Sequence, residues 1–508
     1  MAAMSIASSG SDTLDAWTKR SQPKIEIELM GQTPGLVSSY TTGDHIDGTA
    51  TITVSQETRF DEIEIIFQGT SQTTVERTSC PGRTGSQQMF LKLRQPIDET
   101  EYPTPRVLET GRSYRFPFTF VVPERLLPQV CTHPKKNPQI ERSHTMIPPT
   151  LGDPMLASNG KTLLDDMAPD MSRIGYIVRV VVLKRLPEHR QIKPLAAVAK
   201  KVRIVPSIEE EPPINLADHS AYCAHKEKTV KRGLLRGKLG RLVVTSSQPK
   251  PIQLLAPSGE PSDTVSTVAT VDLRFDPVGD EPPPKLWSMS SKLRASTFYS
   301  VAPWDEFPRQ SGSVPFSQIG RGLYTNTVPI STMCVASAQW AKHSPATDPR
   351  RDSTSSSSSE DCSASSNSHN NPNIYYYTAS LVIPITLPES KAFVPTFHSC
   401  LISRIYALDL CLSYHTPAAN LLTPTVSLRV PVQITSRSKS AESLKSSLGM
   451  TVTQEELDAF FSPRNVSPPL EFPEPTPVRD VAVGDDLAPP GYSETSNLPA
   501  PPRVRAVN

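Results

Sequence analysis

Residue types that perform catalysis are present in this 508-residue chain, but their spacing matches no familiar reaction centre. A phosphate-binding loop needs four residues between its two glycines and a serine or threonine after the lysine. The stretch Gly233-Leu-Leu-Arg-Gly237-Lys238 has three residues between the glycines, and Leu239 follows the lysine. No metal-ligand spacing links the histidines, which include His133, His144, His189 and His398. We expect these histidines to be solvated or in the core, and we predict no catalytic residues, no metal site and no cofactor.

Charged stretches are the next candidates for a binding site. Residues 226–241 carry seven cations against the single acid Glu227, namely Lys226, Lys228, Lys231, Arg232, Arg236, Lys238 and Arg241. Lys and Arg pair strongly with phosphate, so this basic patch is a candidate site for the phosphate groups of inositol lipids or of peptides. The alternative is a solvated strand edge whose charge prevents edge-to-edge aggregation. The acidic pair Asp165-Asp166 is expected to be solvated loop charge.

A short helix with one apolar face is predicted near the end of the chain, over residues 454–461. Thr453 followed by Glu456 forms a capping box. Leu457, Phe460 and Phe461 then follow at i, i+3 and i+4, which places them on one face. At about eight residues the helix is too short to be stable alone. We therefore expect it to dock transiently on a partner or on this protein's own β surface; the alternative is an inert tail.

The elements that must position these residues are β-strands, because apolar side chains recur with a period of two. Five segments each carry one apolar set of alternate residues: Ala50, Ile52 and Val54; Ile63, Ile65 and Phe67; Tyr114, Phe116, Phe118 and Phe120; Tyr176, Val178, Val180 and Val182; and Ile402, Tyr406, Leu408, Leu410, Leu412 and Tyr414, with Arg404 as the one charge in its row. This alternation is typical of antiparallel sheets with one buried face. Pro117 predicts an edge strand or a bulge. The sequence predicts an all-β fold of antiparallel, immunoglobulin-like β-sandwiches.

The strand segments fall into two groups along the chain. We predict two β-sandwich lobes, 24–206 and 226–436, joined by a hinge at 207–225 that carries three consecutive glutamates and two prolines. Disorder is predicted for the polar residues 1–23, for a serine-rich insertion at 349–372 and for a proline-rich tail at 437–508. The insertion is either a phosphorylation platform or a neutral spacer.

Charge, cysteine content and hydropathy indicate the cellular compartment. The formal net charge is +1, so there is no general attraction to nucleic acid, and no nucleic-acid partner is expected. The seven cysteines are scattered and include no CxxC pair, which favours free thiols in a reducing compartment. The first residues lack the basic and apolar regions of a signal peptide, and no run of 18 apolar residues occurs. These features predict a soluble cytosolic protein.

The strand-rich blocks resemble the arrestin family. The stretch Tyr40-Thr-Thr-Gly43-Asp44-His-Ile46-Asp-Gly48 resembles the opening of an arrestin N-lobe, and the blocks at 63–69, 108–123 and 174–178 continue the match. The second group resembles an arrestin C-lobe, from Lys231-Arg232-Gly233-Leu234-Leu235 to the blocks at 395–399, 402–408 and 430–432. Over about 24–436 the chain is similar to the fungal α-arrestins, or arrestin-related trafficking adaptors. The connection from Glu124 to Arg173 is longer than the family pattern leads us to expect.

The resemblance implies a meaning for Pro489-Pro490-Gly491-Tyr492, which fits the PPxY ligand of WW domains. Two prolines pre-set the polyproline II path, and the tyrosine ring fills an adjoining apolar site. The implied protein is an adaptor that recruits a WW-domain HECT-type ubiquitin ligase through Pro489, Pro490 and Tyr492. Its lobes would bind cytosolic segments of plasma-membrane transporters or receptors, so that ubiquitination leads to endocytosis.

The sequence is compatible with three functional classes. The first is the ligase adaptor, which would be cytoplasmic and recruited peripherally to the plasma membrane or endosomes, with phospholipid head groups as a further partner. The second is a non-catalytic endosomal sorting or signalling scaffold that works without a ubiquitin ligase and keeps its function when Tyr492 is lost. An enzyme on a β-sandwich is the third class, and no group of residues in the sequence favours it.

Overall fold

A computed structural model describes residues 22–33, 35–76, 82–157, 163–185, 192–212, 222–232, 237–255, 265–308, 320–344, 375–416 and 423–436. Regular structure in these ranges is almost entirely β, in several antiparallel sheets, which confirms the predicted all-β sandwich fold. All of these residues belong to one compact unit. None of the helices in the described ranges has the length and apolar character needed to cross a lipid bilayer.

The first ten strands build one sandwich. In chain order they are β1 (Lys24–Leu29), β2 (Ser39–Tyr40), β3 (His45–Thr53), β4 (Thr58–Arg59), β5 (Glu62–Glu76), β6 (Arg83–Arg94), β7 (Val107–Leu108), β8 (Ser113–Val121), β9 (Ser172–Arg185) and β10 (Ile192–Ile204). One sheet has the order β1-β3-β8, and the other has the order β2-β10-β9-β5-β6. Their facing apolar side chains form a single buried core. Pro117 lies in β8 at the edge of its sheet, as predicted.

The remaining strands build a second sandwich. They are β11 (His225–Lys231), β12 (Lys238–Ser246), β13 (Ile252–Leu254), β14 (Ser266–Pro277), β15 (Lys285–Ser300), β16 (Arg321–Cys334), β17 (Ala341–His343), β18 (Tyr376–Thr386), β19 (Phe397–His398), β20 (Ile402–His415), β21 (Thr425–Val432) and β22 (Ile434–Ser436). One sheet runs β11-β12-β14-β18-β17, and the other runs β16-β15-β20, with both β19 and β21 paired to β20. A second apolar core lies between these sheets. The predicted lobe and hinge boundaries at 206, 207–225 and 226 stay predictions.

The period-two rows are buried as the sequence predicts. Ala50 and Ile52 of β3 are fully buried, and Ala50 lies opposite Ile27 on one side and Phe116 on the other. Strand β3 ends at Thr53, one residue before Val54, which is nevertheless buried. In the row of β20 every alternate residue is buried, and Arg404 is buried with its apolar neighbours. Burial of one face of each strand supplies the main apolar stabilisation of the fold.

The long connection between β8 and β9 is packed rather than loose where the structure describes it, at 122–157 and 163–171. It contains two short helices, α1 (Pro138–His144) and α2 (Pro154–Ala157). Asn137 caps α1, because its side chain accepts a hydrogen bond of 3.1 Å from the backbone N–H of Ile140. The fully buried Tyr176 of β9 donates a 2.5 Å hydrogen bond to the carbonyl of Pro148, which fastens the connection to the sheet. This connection carries three of the residues of the candidate site below.

Candidate functional site

Two of the predicted sites lie outside the described residues. These are the PPxY motif with Pro489, Pro490 and Tyr492, and the predicted helix 454–461 with Leu457, Phe460 and Phe461. The serine-rich insertion at 349–372 and the basic residue Arg236 also lie outside them. The predictions made for these segments therefore rest on the sequence.

The basic patch occupies the edge of the second sandwich, because β11 is the outermost strand of its sheet. Successive side chains of a strand point to opposite faces. Lys226 and Lys228 share a face with the buried Val230, whereas Arg241 of β12 pairs with Glu227, which belongs to the other face. The cations are therefore divided between two faces of the sheet edge.

Part of the patch is occupied by internal contacts. Lys228 donates a 2.7 Å hydrogen bond to the carbonyl of Thr425, and Arg232 forms an ion pair with Glu281. Arg241 forms ion pairs of 3.2 Å with both Glu227 and Asp276. Among the described residues, Lys226, Lys231 and Lys238 have no ion-pair partner, so these three are the cations available to an anionic ligand. Charge along an edge strand also hinders pairing with another chain.

A group of four potential metal ligands, which the sequence analysis missed, lies between the two sandwiches. Cys131, His133 and His144 come from the β8–β9 connection, and Cys400 comes from the turn between β19 and β20. Their ligand atoms all lie within 4.8 Å of one another. The Cys131 Sγ is 3.2 Å from His133 Nε2 and 3.7 Å from His144 Nδ1, and the two nitrogens are 3.2 Å apart. We call these four residues the Cys2His2 cluster.

Local structure fixes each member of the Cys2His2 cluster. Cys131 follows a 3-10 turn at Pro128–Val130, and its backbone N–H donates to the Pro128 carbonyl at 3.0 Å. His144 ends helix α1, and only 2% of its surface is exposed. The turn at Cys400 is closed by the Ser399 hydroxyl, which donates to the Ile402 carbonyl at 2.7 Å. His133 is half-buried, and the other three residues are buried.

The electrostatics of the cluster favour a thiolate at Cys131. A hydrogen bond from the Cys400 thiol lowers the pKa of Cys131 most, and the imidazoles of His133 and His144 lower it further, although burial opposes them. The same thiol–thiol hydrogen bond, together with burial, raises the pKa of Cys400. The hydrogen bond to Cys131 also raises the pKa of the His133 imidazole. Cysteine binds metals as the thiolate.

Polar contacts around the cluster hold the Cys400 turn within the second sandwich and join the connection to that sandwich. The Trp304 backbone N–H donates to the Cys400 carbonyl at 2.9 Å, and its indole N–H donates to the Leu401 carbonyl at 3.3 Å. Next to His133, Lys136 forms ion pairs of 3.4 Å with Asp305 and 3.1 Å with Glu306. The cluster therefore sits in a built interface between the connection and the second sandwich.

A buried arginine makes a second link between the connection and β20. Arg404 is fully buried, and its Nη1 donates a 3.0 Å hydrogen bond to the backbone carbonyl of Asp166. The expectation that Asp165-Asp166 is solvated is wrong for Asp166, which is 6% exposed. Its carboxylate accepts hydrogen bonds from the backbone N–H groups of Gly152 and Ala168, at 2.6 and 3.1 Å. Asp165 remains exposed and forms a 2.7 Å ion pair with Lys391.

A surface groove of the first sandwich is lined largely by charged residues. It is an open groove of about 670 Å³ beside β5, with the charged residues Asp61, Glu62, Arg94, Glu99, Arg106 and Arg185 in its lining. Arg94 pairs with Glu62, and Arg106 pairs with Glu99. These ion pairs neutralise the charges that they join.

No protein-family model matches this chain, and no curated protein matches it. The Cys2His2 cluster is therefore defined by geometry alone. Part of it had a local signal, because Cys131 and His133 are two residues apart and the Asn137-Pro138 cap predicts the helix that ends at His144. Cys400 had no local signal, since only the pairing of β19 with β20 brings it there.

Proposed function

We propose that this protein is a non-catalytic adaptor of the arrestin type that brings a WW-domain HECT-type ubiquitin ligase to membrane-protein cargo. The observation that carries the proposal is the sequence Pro489-Pro490-Gly491-Tyr492 in a proline-rich segment that follows an all-β body. With 52 prolines and 13 tyrosines in the chain, about 0.14 such matches are expected by chance. The arrangement of two β-sandwiches in the body is compatible with the arrestin resemblance.

The physical basis of ligase recruitment is the polyproline II conformation. Pro489 and Pro490 fix the backbone in that conformation before binding, so docking in an aromatic groove loses little entropy. The ring of Tyr492 then buries apolar area, and its hydroxyl finds a hydrogen-bond partner. Tethering raises the concentration of the ligase near the cargo without any chemistry by this chain.

A single short motif binds weakly, so a second contact supports the function. The predicted helix with Leu457, Phe460 and Phe461 is one candidate for that contact. The cations Lys226, Lys231 and Lys238 are candidates for contact with phospholipid head groups, which fits a cytoplasmic protein recruited to the plasma membrane or to endosomes. Cargo recognition is assigned to the two sandwiches, on cytosolic segments of transporters or receptors.

The test is a calorimetric titration of the full chain with isolated WW domains of HECT-type ligases. We expect micromolar binding that Tyr492→Ala abolishes, because the tyrosine supplies the specific part of the contact. The matched control is Pro501→Ala, since Pro501-Pro502-Arg503-Val504 offers two prolines without a tyrosine. That variant should bind as the wild type does.

The opposite result favours the scaffold. If the chain does not bind WW domains, or binds equally well after Tyr492→Ala, the motif is a chance match. The protein is then better described as an endosomal sorting or signalling scaffold that acts without a ubiquitin ligase. Comparison of cargo internalisation in cells carrying wild type or Tyr492→Ala separates the two functions directly.

A further inference from the structure

Three ligand atoms of the Cys2His2 cluster, those of Cys131, His133 and His144, lie at the separations of a tetrahedral metal site. Zinc binds sulfur at about 2.3 Å and imidazole nitrogen at about 2.0–2.1 Å, so a tetrahedron separates nitrogen from sulfur by about 3.5 Å and two nitrogens by about 3.4 Å. The observed Sγ–N distances are 3.2 and 3.7 Å, and the N–N distance is 3.2 Å. The Cys400 Sγ lies within 4.8 Å of each of these three atoms, so all four side chains face the same small volume.

The orientation of His133 leaves a lone pair directed at that volume. Its Nδ1 lies 3.0 Å from the carbonyl oxygen of Pro134, which accepts hydrogen bonds only, so Nδ1 carries the proton. In the neutral ring, which is the form that binds a metal, Nε2 then carries the lone pair and faces Cys131 and His144. Metal-bound histidines commonly donate their second ring N–H to a carbonyl or a carboxylate in this way.

The donor set selects the metal. Two sulfur and two imidazole donors suit Zn²⁺, whereas Mg²⁺ and Ca²⁺ require oxygen ligands. We propose that Cys131, His133, His144 and Cys400 bind one Zn²⁺ as a structural site that clamps the β8–β9 connection to the turn between β19 and β20. Four protein ligands fill a tetrahedral site and leave no position for a substrate or an activated water.

The position of the cluster determines which parts of the fold a bound zinc would hold together. Three ligands belong to the connection after the first sandwich, and Cys400 precedes β20, a strand of the second sandwich. Binding free energy of a structural zinc adds to folding free energy, because the unfolded chain has no preformed site. The interface that contains the ion pairs of Lys136 with Asp305 and Glu306 should therefore loosen when the metal is removed.

Two other arrangements of the same residues give different results. The first is a metal-free hydrogen-bonded cluster, in which His144 Nδ1–H donates to His133 Nε2. The second is a disulfide between Cys131 and Cys400, which requires an oxidant to accept two electrons while two protons leave the thiols. The metal content of the purified chain distinguishes the zinc site from both arrangements.

The first experiment measures metal in the full chain, purified without chelators under reducing conditions. We expect one zinc per chain by mass spectrometric elemental analysis in the wild type, and at least a fivefold loss in Cys400→Ser. The matched control is Cys411→Ser, which removes a half-buried cysteine of β20 outside the cluster. That variant should keep its zinc.

Replacement of zinc by cobalt shows, through the visible absorption spectrum, which residues bind the metal. The wild type should show the intense visible bands of tetrahedral cobalt and a thiolate-to-cobalt charge-transfer band, and Cys400→Ser should weaken the latter. Because loss of a buried cysteine also disturbs folding, His133→Gln is the second variant, since His133 is only half-buried. It should weaken cobalt binding while the far-ultraviolet circular dichroism stays unchanged.

Three results would overturn the proposal. One is wild-type protein with less than about a tenth of a zinc per chain and no tetrahedral cobalt spectrum. Another is a Cys131–Cys400 disulfide found by peptide mapping of protein that was purified under reducing conditions. The last is zinc that stays at full occupancy in both Cys400→Ser and His133→Gln, which would place the metal elsewhere.

Discussion

Replacement of Tyr176 by phenylalanine should release the connection that carries the Cys2His2 cluster. The Tyr176 hydroxyl donates a 2.5 Å hydrogen bond to the Pro148 carbonyl, and both groups are buried. Tyr176→Phe keeps the ring stacked on Phe67 and edge-on to Phe90, at 5.9 and 5.5 Å, so only the hydrogen bond changes. Loss of this bond leaves a buried carbonyl unpaired, which costs about 1–3 kcal/mol.

The assay is guanidinium unfolding of the full chain, followed by tryptophan fluorescence, with hydrogen exchange of the connection in parallel. Burial raises the pKa of Tyr176 well above 10, so the hydroxyl stays protonated and the loss should be equal at pH 7 and pH 9. Hydrogen exchange should increase at the backbone N–H of Leu151, which donates to the Ile174 carbonyl at 3.0 Å in the wild type.

The matched control is Tyr414→Phe. Tyr414 is also buried, but its hydroxyl makes no hydrogen bond within the part of the chain that the structure describes. Its removal should change stability by less than about 0.5 kcal/mol. If the two variants lose the same amount, or if exchange at Leu151 does not change, the hydrogen bond does not hold the connection and the reasoning fails.

Three further substitutions test the fold. Gly48→Ala should lower the free energy of unfolding by about 1–3 kcal/mol, because the added Cβ would lie 2.4 Å from a carbonyl oxygen and 2.5 Å from a phenyl ring. The control is Gly175→Ala, which should be neutral or slightly stabilising in the same unfolding assay because its added Cβ would meet open space. Asp153 is buried, which raises its pKa, but the 2.8 Å bond to Lys201 lowers it below its ordinary 3.8 overall. The stability that ionised Asp153 contributes is therefore present above pH 3.8 and is lost as pH falls through the lower pKa of the folded state. Asp153→Asn should flatten this acid part of the plot of stability against pH. Arg241→Gln should change stability by no more than about 1 kcal/mol, because its ion pairs are exposed, and a larger loss of melting temperature would contradict this.

The fold class could be predicted from the sequence because the period-two signal is local. Each of the rows ending at Phe67, Phe120 and Val182 buries the predicted face, whatever strand lies next to it. Strand order is not local: nothing in the sequence pairs β15 with β20 or places β5 between β9 and β6. These pairings depend on which apolar faces meet in the folded chain, and the alternation of side chains does not encode that choice.

The same distinction explains which site residues were missed. The PPxY motif and the basic patch are contiguous in sequence, so pattern reading finds them. Cys400 shares no pattern with Cys131, because the two are brought together by tertiary packing. Asp166 was misjudged for a related reason, since its carboxylate is satisfied by backbone N–H groups of Gly152 and Ala168 that only the folded connection presents. Buried charge is stable where such hydrogen bonds replace water.

The start of β20 is one place where the β8–β9 connection is joined to the second sandwich. Cys400 and Arg404 both lie there, and both reach the β8–β9 connection, the first at the Cys2His2 cluster and the second at the Asp166 carbonyl. The buried Arg404 guanidinium is costly to desolvate, and although Nη1 bonds the Asp166 carbonyl, Nε and Nη2 have no hydrogen-bond partner among the described residues, so it adds little stability. A zinc site next to it adds free energy to the same arrangement. The Arg404 hydrogen bond and the proposed zinc site favour one fixed relation between the connection and the second sandwich, which the proposed cargo-binding role would use to present a preformed surface.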